Sequence, residues 1–292
     1  MASITLNINE DFNYKSVSEL FSLFHLGKEK AKKVTVYIND KLVSKNTILN
    51  FNDVLRLEYE DSIDFPKYDK KLDILYEDEH LLIVNKPIDL LVHPDNLDND
   101  KTLVNIVSNY YHKTNQNISV KYLHRIDKDT SGIVVFAKDI LTGAKLSDEI
   151  SNHTFIRRYM CICSGLFKEN SGTYNYPIAE NRHIANKKRV SPTGKEAITN
   201  FKVVERLKKN LNLCLVQLET GRTHQIRVHF SYTGHPLVGD ELYNGNTNLL
   251  KRQALHSYEV DFIHPITNKR IHVVCPLPFD MQQIVNKYKN KG

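Results

Sequence analysis

In the stretch HRIDKDTSG (residues 124–132), Asp127 stands between two cations, Arg125 and Lys128, with Asp129 one step beyond. A carboxylate held among cations can serve as a base or as a nucleophile. Thr130, Ser131 and Gly132 supply donors and a flexible corner. IVVFA (133–137) is then apolar enough to anchor the loop in a core. Such a loop can hold one carboxylate rigidly against a substrate; the plainer reading is a solvated turn before a strand.

A second stretch, LETGRTHQIRVHFSYTGHPLVGDELY (218–243), gathers Arg222, His224, Arg227, His229 and His235 within a short span. Thr223 is positioned to cap a helix running to about Tyr232, where Gly234 and Pro236 stop it. On that helix Thr223 and Arg227 lie one turn apart, as do Gln225 and His229. Arg222 sits at its entry, where free backbone donors also favour an anion. The pattern has no metal-ligand spacing and suits a polar, anion-facing surface. A third stretch, RHIANKKRV (182–190), carries Arg182, Lys187, Lys188 and Arg189 without an acid. It reads either as a solvated turn or as a loop facing the phosphates of a polyanion.

These stretches need elements to position them. Short strands succeed one another from residue 72 onward: LDILYED, LLIVNKP, GIVVFAK, FIRRYMCICSG, AITNFKVVERL, NLCLVQLETG, ALHSYEVDF and RIHVVCP. TLVNIVSNYY places Leu103, Ile106, Val107 and Tyr110 on one helical face. Strands joined more often by turns than by helices imply an α+β class with a mixed, largely antiparallel central sheet flanked by helices. Residues 1–60 form a small unit of their own, with SVSELFSLF and GKEKAKKV as short helices and Ser16 or Ser18 as a cap. VTVYIND and LRLEYE are its strands, with Asn39-Asp40 as the turn between. Residues 61–71 contain Pro66, break every periodicity and read as a linker.

Composition narrows the function class. The net charge is +6 at pH 7, but the first seventy residues carry −1 and the remainder +7. The excess therefore lies with the larger part. Cys161, Cys163, Cys214 and Cys275 are too scattered for a disulfide scaffold or a zinc site, and read as buried hydrophobes in a reducing cytoplasm. The chain start lacks a basic segment followed by an apolar core, and no apolar run reaches the roughly 20 residues of a membrane span. No glycine-rich phosphate loop implies a nucleotide cofactor.

Taken in series, LYEDEHLLIVNKPIDLLVHP (75–94), HRIDKDTSGIVVFAKD, LETGRTHQIRVHFSYTGHPLVGDELY and RQALHSYEVDFIHPITNKRIHVVCPLP (252–278) resemble the RluA-type pseudouridine synthases. The resemblance runs in the family's order from about Leu72 to Pro278. It implies isomerisation of uridine in RNA to pseudouridine, without cofactor or metal, in a catalytic domain over 72–292. By motif match, Asp127 is the catalytic aspartate, Tyr159 the tyrosine that packs on the uracil, and Arg227 the arginine paired with the carboxylate. Arg125 corresponds to the residue that holds the target nucleotide out of its helix, and Ile226 lines the pocket. Arg222, His224, Lys187, Lys188 and Arg189 are expected to bind the RNA backbone. Three departures stand out: Asp89 where a glycine is common after K-P-x, Ile126 for leucine, and Arg157 for the lysine two before the tyrosine. The unit at 1–60 resembles an α-L type RNA-binding domain, with Asp40 in place of its turn glycine. The expected partner is RNA, ribosomal RNA of the large subunit or else transfer RNA, bound by a monomer.

Two other classes compete. One is an RNA-binding or ribosome-assembly factor that keeps the fold without turnover. The other is a metal-dependent nuclease using Asp127, Asp129 and Asp240.

Overall fold

The computed structural model describes residues 2–61, 65–95 and 100–290. Residues 62–64 of the expected linker, Met1 of the chain start and the last two residues of the expected catalytic domain lie outside these.

The N-terminal unit contains β1 (Ala2–Asn7), α1 (Val17–Leu23), α2 (Lys28–Lys32), β2 (Thr35–Ile38), β3 (Lys41–Leu42) and β4 (Val54–Tyr59). Its strands form one antiparallel sheet in the order β1-β4-β2-β3. Alternation in β1 buries Ala2, Ile4 and Leu6 on one face; this strand was not expected from the sequence. Ser16 caps α1 in a reciprocal box with Glu19. Asn39 and Asp40 both adopt positive φ, 49° and 62°, as a two-residue hairpin turn demands. That turn leads into the short β3, and β4 pairs with β2 from further along the chain.

The larger part contains β5 (Ile74–Glu77), β6 (Leu81–Lys86), α3 (Leu103–Lys113), β7 (Lys121–Tyr122), β8 (Ser131–Ala137), α4 (Ile140–Ser151), β9 (Ile156–Ser164) and β10 (Ser171–Asn175). Then follow β11 (Ile178–Glu180), β12 (Lys188–Val190), β13 (Ile198–Leu207), β14 (Leu211–Leu218), α5 (Gln225–Tyr232), β15 (Leu255–Ile263), β16 (Arg270–Val274) and α6 (Phe279–Tyr288). The main sheet runs β10-β13-β14-β9-β15-β8-β6-β5, with β16 beside β15 and β7 beside β8. Within it β15 and β8 pair in parallel and the other pairs are antiparallel. The class is thus α+β with a mixed, largely antiparallel sheet.

Both faces of this sheet are covered, because successive side chains on a strand point to opposite sides. Leu82, Val84, Val134, Phe136, Tyr159, Cys161 and Cys163 share one core with α3 and α5. Leu81, Ile83, Ile133 and Val135 face a second core with Leu146 of α4. Met160 and Ile162 face a third with α6. The four cysteines are buried thiols. Residues 65–71 lie against α3: Asn105 donates to Pro66 O (2.7 Å) and Ser108 to Phe65 O (2.8 Å). The N-terminal unit packs its core on Leu141 of α4, flanked by Ile140, Ala144 and Ile266. Among the described residues no helix is long and apolar enough to cross a membrane.

Candidate active site

The Asp127 loop is fixed from three sides. Thr130 N–H donates to Asp127 O (3.0 Å), which closes the turn. Gly132 adopts φ +106°, and a Cβ there would meet Ser257 O at 2.2 Å, so the close parallel approach of β15 to β8 requires glycine. Ser131 Oγ lies 2.9 Å from His256 Nδ1.

Below the loop sits Lys86, with no exposed surface. Its Nζ donates to Pro87 O (2.8 Å), Leu90 O (2.7 Å) and Lys128 O (2.9 Å), tying the β6 turn to the Asp127 loop. Burial pulls its pKa down to about 7, against the opposing pull of Asp129 and Asp127. Asp89, the residue found where glycine is common, adopts φ 56° in this turn. Aspartate tolerates that region better than most residues, and its carboxylate meets Lys128 Nζ at 2.8 Å on the surface.

Opposite the loop, α5 delivers Arg227. Its Nη1 donates to Asp127 Oδ2 (3.0 Å), while Nε and Nη2 donate to Asp240 Oδ2 (2.7 Å) and Oδ1 (2.8 Å). Arg227 and Asp240 are both buried. Burial opposes the guanidinium charge, but Asp240 and Asp127 outweigh it and raise the Arg227 pKa. Asp240 is brought there by the turn at Gly239, where φ is +78° and a Cβ would collide with Arg252 O. Tyr243 places its ring 5.0 Å from the Arg227 guanidinium. Its hydroxyl lies 3.0 Å from His224 Nδ1 and accepts from Lys188 N–H (2.8 Å).

The helix start differs from expectation. His224, at φ 60°, is the N-cap in place of Thr223. The reason is local: Gln225 Oε1 accepts from Arg222 N–H (2.9 Å) and Thr220 Oγ (2.8 Å), which curls the entry one residue later. The expected anion-facing surface is also only partly present. Gln225 and His229 turn inward and bond Thr199 of β13, and His229 Nε2 lies 2.9 Å from Tyr176 O. They are core groups.

Asp127, Tyr159, Arg227, Arg125, Ile226, Arg222 and His224 all line one cleft of about 920 Å³. That volume suits a nucleotide-sized guest. Tyr159 projects from β9 and is buried; burial raises its pKa, with Arg157 opposing and Asp127 adding to the rise. Its phenol is therefore neutral at physiological pH. Ile226 is buried beside it, and Arg125 is exposed at the rim. His224 Nε2 stands 3.8 Å from Asp127 Oδ2; burial lowers its pKa although Asp127 pulls the other way. Arg222 Nε donates to Glu196 O (2.9 Å). The segment 187–189 does not line the cleft. Lys188 and Arg189 belong to strand β12, Lys188 Nζ pairs with Glu180 (2.6 Å), and Lys187 Nζ lies 5.4 Å from the Tyr243 ring. Asn186 reaches the cleft from the same segment.

Sequence reasoning missed Tyr243 and met Asp240 only as a candidate cation ligand. Both carboxylate oxygens of Asp240 are instead taken by Arg227. The shared string VGDELY was the available signal. Among the described residues no group of histidine, cysteine and acidic side chains is arranged to hold a metal.

A family model described as RNA pseudouridylate synthase matches residues 80–232. The chain belongs to this family. It is similar to the RNA pseudouridine synthase YhcT of Bacillus subtilis, 41% identical over 257 residues, 87% of this chain and 85% of that protein. It is also similar to ribosomal large subunit pseudouridine synthase D of Xylella fastidiosa, 35% identical over 291 residues, 92% of this chain and 86% of that protein. The fold is shared with the structure of human RNA pseudouridylate synthase domain containing 4, at TM-score 0.60 and 22% identity over 74% of this chain and 92% of that one. This pseudouridine synthase is thus an isomerase acting on uridine in RNA, of the RluA type expected from its motifs.

Proposed function

We propose that this synthase isomerises a uridine of large-subunit ribosomal RNA, with Asp127 as the reacting carboxylate. The observation that carries the residue assignment is the chain of bonds Asp127–Arg227–Asp240 in the cleft lined by Tyr159. The choice of RNA is supported by the named activity of the large-subunit relatives, which span nearly the whole chain.

The reaction breaks N1–C1′, turns the uracil and joins C5 to C1′; C5 then loses its proton and N1 gains one, so the product is an isomer of the substrate. A stacked base cannot turn, so the nucleotide leaves its helix at a cost of about a few kcal/mol. Arg125, exposed at the rim, fills the space the base vacates. Tyr159 gives the uracil a flat apolar face. Asp127 then either attacks C1′ or accepts a proton from the sugar, and both routes need its ionised form. Arg227 is held cationic by Asp240, so the carboxylate keeps a positive partner when RNA displaces water. His224 and Arg222 frame the sugar–phosphate entry. Lys187, Lys188 and Arg189 act from outside the cleft, on flanking RNA.

Residues 1–60 act as an α-L-like RNA-binding unit, 61–71 as its linker and 72–292 as the catalytic domain. The support is α2, which buries no side chain and presents Lys28, Lys30 and Lys32 to solvent. Buried reduced thiols suit a cytoplasmic protein.

The test is incubation of the purified protein with unmodified transcripts of large-subunit RNA, small-subunit RNA and tRNA, followed by mapping of pseudouridine. Conversion within the large-subunit transcript is expected. Conversion confined to tRNA overturns the choice of RNA.

A further inference from the structure

Arg157 and Arg158 are adjacent on β9 and face opposite sides of the sheet. Arg158 Nη1 pairs with Glu259 (2.5 Å) and its Nε donates to Gln217 (3.1 Å). Arg157 points to the Tyr159 side and lines the cleft. It is only 7% exposed, and its buried Nε has no hydrogen-bond partner. Among the described residues it makes no ion pair. Its terminal nitrogens flank Gly221, where a Cβ would stand 3.5 Å from Nη1. A second unpartnered nitrogen belongs to the same wall: His124 Nδ1, also buried. Val135 N–H donates to His124 Nε2 (3.3 Å), so the neutral ring carries its proton on Nδ1. Burial, with the Arg157 charge beside it, pushes the His124 pKa down to about 3, which keeps the ring neutral. Two buried donors of this wall are therefore left without an acceptor, an arrangement that proteins avoid unless a ligand completes it.

We propose that Arg157, with His124, forms a seat for an RNA phosphate adjoining the flipped uridine. A desolvated guanidinium calls for a permanent anion, and the phosphodiester is the anionic part of the substrate. The spacing agrees. Two residues along a strand advance about 6–7 Å, so with the base on Tyr159 the guanidinium reaches past the sugar to the backbone. Seating the phosphate there fixes the C1′ carbon against Asp127. Arg157 is a binding and positioning residue and does not touch the reacting atoms.

This seat rests on the cleft being the uridine site. The experiment compares Arg157→Met and Arg157→Lys with the parent, on whichever ribosomal or transfer RNA transcript the parent converts. For Arg157→Met, KM rises about tenfold, the size of one lost charge-assisted hydrogen bond, while kcat stays within about threefold. The slope of log affinity against log salt flattens by about 0.7, one single-strand phosphate contact. Its unfolding midpoint is not lowered, because the apolar replacement removes an unpaired buried charge. Arg157→Lys recovers most of the affinity. An unchanged KM and salt slope overturns the seat, whether or not the midpoint falls. A loss confined to kcat also overturns it, since the charge would then serve the uracil. The uridine-site reading fails separately, if Asp127→Asn still converts the RNA whatever the Arg157 variants do.

Discussion

Arg227 and Arg157 are buried guanidinium groups on two walls of one cleft, and their surroundings are opposite. Arg227 spends Nε, Nη1 and Nη2 on two carboxylates. Arg157 has no acid paired with it among the described residues, and its Nε is left alone. A saturated arginine is part of the folded framework: it orders α5 against the Asp127 loop before any substrate arrives. An unsaturated one is completed only by what enters. Lys86 is a third case, a buried cation satisfied wholly by backbone carbonyls. Two buried arginines thus line the cleft, one holding Asp127 and one open to what enters, while Lys86 beneath them ties the loop to β6.

Variants sharpen this contrast in a definite order. Asp240→Ala leaves Arg227 buried with two donors unpaired, and urea unfolding should show a loss of about 3–5 kcal/mol. The same measurement on Arg157→Met should show no loss; equal losses at the two arginines would erase the distinction. Lys86→Met should uncouple stability from alkaline pH. With Lys86 near pKa 7 in the fold and near its ordinary value when unfolded, the native state binds fewer protons between the two. Parent stability should therefore rise from pH 7 to pH 9 relative to the variant, and parallel urea curves at the two pH values would contradict that. Tyr243→Phe keeps the ring over Arg227 but removes the hydroxyl shared by His224 and Lys188. A loss of about 1 kcal/mol is expected, with turnover within about threefold. Smallest of all, Asp89→Gly removes only a surface pair with Lys128 and relieves a positive φ. Its unfolding midpoint should match the parent's.

Much of the fold was legible because its signals are local. The continuous apolar runs in LLIVNK and GIVVFA mark strands whose two faces enter different cores. Asp127 stood out because it sits among cations before a Thr-Ser-Gly corner. What was hidden depends on partners distant in sequence. Nothing in the dipeptide Arg157-Arg158 tells which arginine is paired, because the deciding acid, Glu259, comes from β15. Asp240 resembled a cation ligand until the Gly239 turn aimed it at Arg227. Helix α4 escaped notice because ILTGAKLSDEIS mixes Gly, Thr and Ser into its turns, residues of modest helix propensity. Its start is set by the Asp139 side chain, which accepts from Leu141 and Thr142. The cap of α5 moved to His224 because Gln225 bonds backward to Arg222 and Thr220, a contact that spacing alone does not show.

The most direct measurement is single-turnover pseudouridine formation by Asp127→Asn at saturating protein, with RNA affinity measured alongside. The expected result is no detectable conversion with Kd within about threefold of the parent, since the amide keeps the side chain's shape and removes its charge. Conversion at the parental rate would contradict the role given to Asp127 and, with it, the purpose of the Arg227–Asp240 clamp.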